Sequence, residues 1–285
     1  KRPFFLYWAT GAAHAPHHAP QAWIDSFKGK FDMGWDKARE AILKRQKAAG
    51  IVPQNARLAP RPAEMLAWDS LSAEQKALYA RQMEVFAAQL SHADAQFGRI
   101  LDALEASGEL DNTVVIITSD NGASAEGGPN GLTNEIQMIS GQPTVEANSR
   151  FLADWGGPKT YPDYSFGWAV AGNTPFRKYK QTTHLGGIRV PLVVAWPKGI
   201  AGRGSLRGQF AHVSDIAPTI LEAAKVPLAA TINNVPQQPL DGISIAYSFA
   251  DAKAPAPRKA QYFEMYGNKA LVAGESEITR AAIAA

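Results

Sequence analysis

The stretch from Leu110 to Gly122 constrains this chain more than any other. A turn at Asp111-Asn112 leads into the apolar run Val114-Val115-Ile116-Ile117, which stops abruptly at Asp120-Asn121-Gly122. The run does not alternate with polar residues, so it reads as a strand buried on both faces, the kind found in α/β proteins. In such sheets the chemistry lies outside the carboxyl ends of the strands. There Asp120 and Asn121 would offer hard oxygen atoms suited to Ca²⁺ or Mg²⁺. Gly122 would let the backbone turn away, a positive φ being one way to do it. The same three residues are also common in plain turns, and the tripeptide alone leaves both readings open.

The flanking sequence supplies the helices. Ser72 and Gln75 have the spacing of a capping box. Beyond them Leu78, Met83, Phe86, Leu90, Ala93, Phe97, Ile100, Leu101 and Leu104 recur at mostly three- and four-residue steps, one apolar stripe of a long helix ending at Gly108. A second, charged helix is expected over 36–49, stopping at Gly50. Short strands are expected at Phe4–Ala9, Leu192–Trp196 and Gln261–Tyr266. With 285 residues, 46% of them apolar, the chain is long enough to bury a substantial core. The net charge of +3 is spread without blocks of like sign, which gives no case for nucleic acid or an anionic membrane. No apolar run approaches a membrane span. With no cysteine, disulfides, thiolate metal ligands and a cysteine nucleophile are excluded within these residues.

Three loops carry candidate chemistry. His14, His17 and His18 fall within five residues, but Pro16 breaks any helical pairing of His14 with His18. One functional histidine with incidental neighbours is therefore expected. Residues 123–174 lose periodicity while holding Trp155, Tyr161, Tyr164, Phe166 and Trp168. A loop this long is usually functional or disordered, and the aromatics argue against disorder. It reads as a pocket insertion or as an inert surface excursion. Arg177, Lys178 and Lys180 form a cationic cluster, either an anion holder or a solvated turn.

Taken in order, Pro3–Pro20, Gln82–Gly128, Lys180–Val190 with its Gly186-Gly187-Ile188-Arg189-Val190-Pro191 run, and His212–Ala224 resemble the sulfatases of the alkaline phosphatase superfamily, bacterial arylsulfatases most of all. The resemblance covers the chain to about Gly267. It implies an α/β fold with a mixed, mostly parallel sheet sandwiched by helices, incomplete at both ends. It also implies roles. Asp120 and Asn121 match two of four side-chain ligands of a Ca²⁺ ion, with Mg²⁺ or Mn²⁺ ranking behind it. His14 matches the histidine that helps the leaving alcohol depart, and Lys180 the lysine on the sulfate oxygens. His184 lines the pocket or serves structure alone. The implied partner is a small-molecule sulfate ester, with no nucleic acid and no membrane; compartment and oligomeric state stay open.

The departures from the family pattern shape the expectation. The family's nucleophile is a formylglycine made from Cys or Ser in a C/S-x-P-x-R motif, and no such motif occurs here. The nearest string, Asn173-Thr174-Pro175-Phe176-Arg177, has an asparagine that cannot be converted. Leu185 stands where an acidic residue is common. The chain is accordingly expected to be the C-terminal part of a sulfatase catalytic domain over 1–267, with the pocket insertion at 123–174 inside it and a poorly defined tail over 268–285. It is expected to be inactive alone. A phosphonate monoester or phosphodiester hydrolase of the same superfamily is the near alternative, disfavoured by Asn121 where those relatives carry His. A non-catalytic anion-binding remnant is the other.

Overall fold

The computed structural model describes residues 2–202, 204–273 and 280–282. Near the amino end lie α1 (Gln21–Asp25), α2 (Gly34–Ala48) and the long α3 (Ala73–Ala106). Strand β1 (Val115–Thr118) follows, then α4 (Gln137–Ser140), α5 (Val145–Ser149), α6 (Phe166–Gly172), α7 (Leu185–Ile188) and β2 (Leu192–Ala195). The remainder holds α8 (Ile216–Ala224), the two-residue strands β3 (Thr231–Ile232) and β4 (Val235–Pro236), α9 (Tyr247–Ala250), and β5 (Ala260–Met265), β6 (Asn268–Ala273) and β7 (Arg280–Ala282).

The mixed α/β class is as expected, while the strand pairing is not parallel. Among the described residues β1 pairs antiparallel with β2, β3 with β4, and β5 with β6 and β6 with β7, in three separate sheets. Nor are the strands buried on both faces. Ile117 is 45% and Val193 52% exposed, because β1 and β2 have only each other as partners among the described residues. The segment Phe4–Ala9 forms no strand: it finds no ladder partner, and its apolar side chains stay exposed, Trp8 included, although Trp8 stacks on Phe97 at 5.6 Å. Expected tail residues 268–273 are a strand instead. Tyr266 (φ 50°) and Gly267 (φ 78°) form a two-residue left-handed turn that joins Met265 to Asn268, the geometry favoured in tight hairpins. A tyrosine at that first position hid the signal. The rest of the expected tail, apart from β7, lies outside the described residues.

The core is built on α3. Its cap forms as the spacing predicts: Ser72 Oγ accepts from Gln75 N–H at 3.1 Å, and Gln75 Oε1 accepts from Ser72 N–H at 2.9 Å. The apolar stripe is buried only in the first half of the helix, around Leu78, Val85 and Ala88, whereas Leu90 is 49% exposed. That first half is wrapped on several sides, so polar residues are buried there too and reach into loops. Gln82 donates to Asn130 O at 2.8 Å and accepts from Ser165 N–H at 2.9 Å. Trp168 donates its indole N–H to Tyr79 O at 2.7 Å.

These bonds correct the reading of 123–174 as a pocket rich in aromatics. Trp155, Tyr164 and Trp168 are core residues packed with Trp35, Trp68 and Tyr79. Trp168 meets Trp35 edge-on with centroids 5.9 Å apart, a favoured aromatic arrangement. Their irregular spacing concealed this, since a loop that folds into the core shows no period. Of the five aromatics, Tyr161 alone remains well exposed.

Candidate active site

The carboxyl end of β1 is seated by backbone, which explains the glycines around it. Gly122 N–H donates to Gly187 O at 2.9 Å, and Gly186 N–H to Arg177 O at 3.0 Å. Gly122 is not among the residues of positive φ. Its requirement is space: a Cβ there would lie 1.7 Å from Gly186 O. One consequence is testable. Gly122→Ala should push these two turns apart and cost about 3 kcal/mol or more, as severe overpacking does. Thermal unfolding followed by circular dichroism should show a drop in Tm of roughly 5–10 °C; an unchanged Tm would rule out this seating.

Asn173, the residue at the nucleophile-like position of the Pro175-Phe176-Arg177 string, is structural. It is buried, its Oδ1 accepts from Ala123 N–H at 2.9 Å, and its amide donates to Lys178 O at 3.2 Å. Lys180 is then fixed against the same strand end, its N–H donating to Ala123 O at 3.0 Å. Lys178 (φ 65°) and Gln181 (φ 71°) on either side are left-handed, a conformation that costs a non-glycine residue about 1 kcal/mol or more. The chain accepts that cost to turn Lys180 inward. Arg177 and Lys178 line a separate cleft of about 230 Å³ with Pro60, Arg61 and Phe176. The three-cation cluster of the sequence is thus divided.

Lys180 meets His14 across the molecule. Its Nζ lies 3.2 Å from His14 Nε2 and 2.9 Å from Glu126 Oε2. His14 Nδ1 is 2.6 Å from Ala15 O. A carbonyl can only accept, so these partners assign a proton to Nδ1 and leave Nε2 to accept from the ammonium. The His14 loop is pinned to α3 by Gln89, whose amide reaches the carbonyls of His14 and Pro16 at 3.3 and 3.1 Å. Glu126 is held by Ser124 Oγ at 2.8 Å and by the Gln181 amide at 2.7 Å. Burial works to raise its carboxyl, but hydrogen bonds from Lys180 and Ser124 and the nearby positive charge outweigh that and bring it below the ordinary carboxylate range.

The other two histidines of the tract do different work. His18 Nε2 is 2.6 Å from Thr160 O. His17 is buried between Phe86 and Tyr164, 3.7 Å from the equally buried Asp163. Burial, with the charges of His14 and His18, lowers the His17 pKa to about 3; burial raises Asp163 to about 7. His184 is placed apart from the Lys180 cluster. It precedes α7, its backbone carbonyl accepts from Gly187 and Ile188, and its ring makes no hydrogen bond among the described residues. Burial and the charges of Arg177 and Lys178 lower its pKa.

Asp120 is exposed and Asn121 half-buried at the same strand end, and the Asn121 amide donates to Asp120 Oδ1 at 2.9 Å. As hard oxygen donors they fit a Ca²⁺ ion in kind. They fall short in number, since Ca²⁺ takes six to eight oxygens and no group of three or more acidic, His or Cys side chains converges among the described residues. Sequence reasoning missed Glu126, Ser124, Gln181, Gln89 and Asn173. Only Glu126 had a readable signal, an acidic residue just beyond the Asp-Asn-Gly end.

The end of β1 thus carries an oxygen-donor pair, and Lys180, tied by its backbone to Ala123 just beyond that pair, meets His14. Sequence comparison names the class of protein: the family model described as Sulfatase matches residues 1–226, and the chain belongs to the sulfatase family. It is 37% identical over 227 residues to an uncharacterized sulfatase of Schizosaccharomyces pombe, covering 79% of this chain and 40% of that protein. To an arylsulfatase of Klebsiella aerogenes it is 29% identical over 271 residues, 94% of this chain and 55% of that one. The chain therefore spans about half the length of the curated relatives it matches. A solved structure of a Bacteroides fragilis chain titled as a sulfatase candidate aligns with a TM-score of 0.47 at 16% identity, covering 94% of this chain and 41% of that one. No helix among the described residues is long and apolar enough to cross a membrane.

Proposed function

We propose that this chain supplies the cationic side of a sulfuric ester hydrolase site, which cleaves a sulfate monoester and water to alcohol and sulfate. The observation that carries this reading is the approach of Lys180 to His14 at 3.2 Å, across 166 positions of sequence, in a chain of the sulfatase family. A sulfate ester is a permanent anion, and cleavage pushes further negative charge onto the bridging oxygen. A fixed ammonium at the sulfate oxygens stabilises that charge without reorganising. His14 Nε2 faces the same place; once it has taken up a proton there, the imidazolium can pass that proton to the departing alkoxide.

Asp120 and Asn121 are proposed as two ligands of a Ca²⁺ ion, which when bound would polarise the sulfate oxygens. Mg²⁺ or Mn²⁺ would suit them less well. His184, its pKa lowered by burial and by the charges of Arg177 and Lys178, is proposed to line the approach. The family's formylglycine nucleophile has no source among these residues, which contain no Cys and no Ser-x-Pro-x-Arg. An aryl sulfate is the proposed substrate type, on the likeness to the Klebsiella arylsulfatase.

Two measurements on the purified chain test this. Inorganic sulfate should bind, seen by calorimetry, and binding should weaken as salt screens the site. A chromogenic aryl sulfate with Ca²⁺ should show no turnover. Absence of sulfate binding would sink the site assignment, and clear turnover would sink the argument about the nucleophile.

A further inference from the structure

The carboxylate of Glu126 lies where an anion-binding site should not want one. It is 2.9 Å from the ammonium proposed to hold the sulfate. It is not an incidental surface contact, because two further residues fix it. Ser124 Oγ donates to Oε2, Gln181 Nε2 donates to Oε1, and the Glu126 N–H donates back to Ser124 Oγ at 3.1 Å. Gln181 is the left-handed residue next to Lys180, so the same backbone turn presents both the cation and a clamp for its counter-ion. The Lys180 and Glu126 side chains are about equally accessible, at 20% and 23%. An approaching anion therefore meets both.

Resting on the reading of Lys180 as the sulfate contact, we propose that Glu126 is a positioning residue for that lysine, one that aims Nζ at His14 at the cost of anion affinity. An ammonium on a four-carbon stem has many rotamers, and an anchored carboxylate selects the one that reaches Nε2. The same charge repels sulfate and occupies one of three ammonium hydrogens. The site trades ground-state binding for alignment, a trade that favours turnover, because binding substrate and transition state equally well does not speed the chemical step.

The test uses inorganic sulfate as probe with the full 285-residue chain. Glu126→Gln keeps the shape and the ability to accept from Lys180 while removing the charge. It should bind sulfate about tenfold more tightly than the unmodified chain, since a like charge at this range in a partly exposed site is removed. Ser124→Ala and Gln181→Ala, which loosen the clamp, should shift affinity the same way by less. Equal or weaker binding by a folded Glu126→Gln variant, with Tm as the control, would overturn the proposal while leaving the site assignment intact. No sulfate binding by either the unmodified chain or Glu126→Gln would overturn both. In a complete sulfatase carrying this chain, Glu126→Gln should lower kcat and lower KM together, whereas a merely structural residue would lower kcat with KM unchanged or raised.

Discussion

Lys180→Ala should weaken sulfate binding roughly 10–100-fold while hardly changing stability. The affinity loss follows from the position of Nζ. Among the described residues it is the one cationic nitrogen in contact with both His14 and Glu126, and a hydrogen bond to a charged group contributes about 1.5–3 kcal/mol, roughly 10–100-fold in affinity. The variant leaves Glu126 behind, so the site changes from one cation facing one anion to an uncompensated carboxylate, and sulfate is actively repelled. The small stability cost follows from exposure. The Lys180–Glu126 pair is partly open to solvent, and such pairs contribute about 0–1 kcal/mol. Glu126 keeps Ser124 and Gln181 as partners, and the Lys180 backbone bond to Ala123 is untouched. Calorimetric titration with sulfate and a thermal melt check the two halves separately. Retained binding would remove Lys180 from the site, and a large fall in Tm would recast it as a structural residue.

What the sequence disclosed and what it hid divide along the same physical line. The capping box of α3 and the stop at Gly108 depend on neighbours a few residues away, and local patterns report such neighbours. The pairing of His14 with Lys180 is entirely non-local. No periodicity carries it, and it was reached only because motifs resembling those of sulfatases occur in family order. Residues that position the pair fall in neither class. Gln89 lies on a helix face that reads as ordinary amphipathic surface, yet it is buried and tethers the His14 loop. Asn173 sits in a string that looks like a failed nucleophile motif, yet it holds the strand end to Lys178. Each acts through backbone carbonyls or amides, whose positions depend on the completed fold. The burial of the aromatics in 123–174 was hidden for a related reason: a segment that packs irregularly against α3 leaves no repeat in its sequence.

Asp163 and His17 should reveal themselves by opposite pH dependences of stability. Asp163 has a folded pKa of about 7 against an ordinary value of 3.8. Between those values the folded chain holds a proton that the unfolded chain has lost, so its contribution falls as pH rises. His17 has a folded pKa of about 3 against 6.5. Between those values the unfolded chain holds the extra proton, so its contribution rises with pH. Over about pH 4–6.5 the two slopes cancel. Asp163→Asn should uncover the His17 slope, stability rising by ~1.4 kcal/mol per pH unit relative to the unmodified chain, and His17→Gln should uncover the reverse slope. Denaturant unfolding at several pH values measures both.

The same variants distinguish a neutral pair from a buried ion pair, since both forms bind one proton in that window. The geometry favours the neutral pair. The 3.7 Å separation is too long for a hydrogen bond, the His17 Nδ1 is buried without a partner among the described residues, and the ring stacks on Tyr164 and meets Phe86 edge-on. With a neutral pair, Asp163→Asn at pH 7 should be at least as stable as the unmodified chain, because Asn keeps the bond from Tyr164 N–H and has no charge to bury. A loss of roughly 3–5 kcal/mol there, the usual result of orphaning a buried charge, would establish the ion pair instead. The answer bears on the site. The charge of Glu126 helps to raise Asp163, and His14 acts on it in the opposite sense. Kept protonated, Asp163 spares the Glu126–His14 surroundings a second negative charge, so sulfate affinity should fall as pH is raised through 7 and Asp163→Asn should remove that fall.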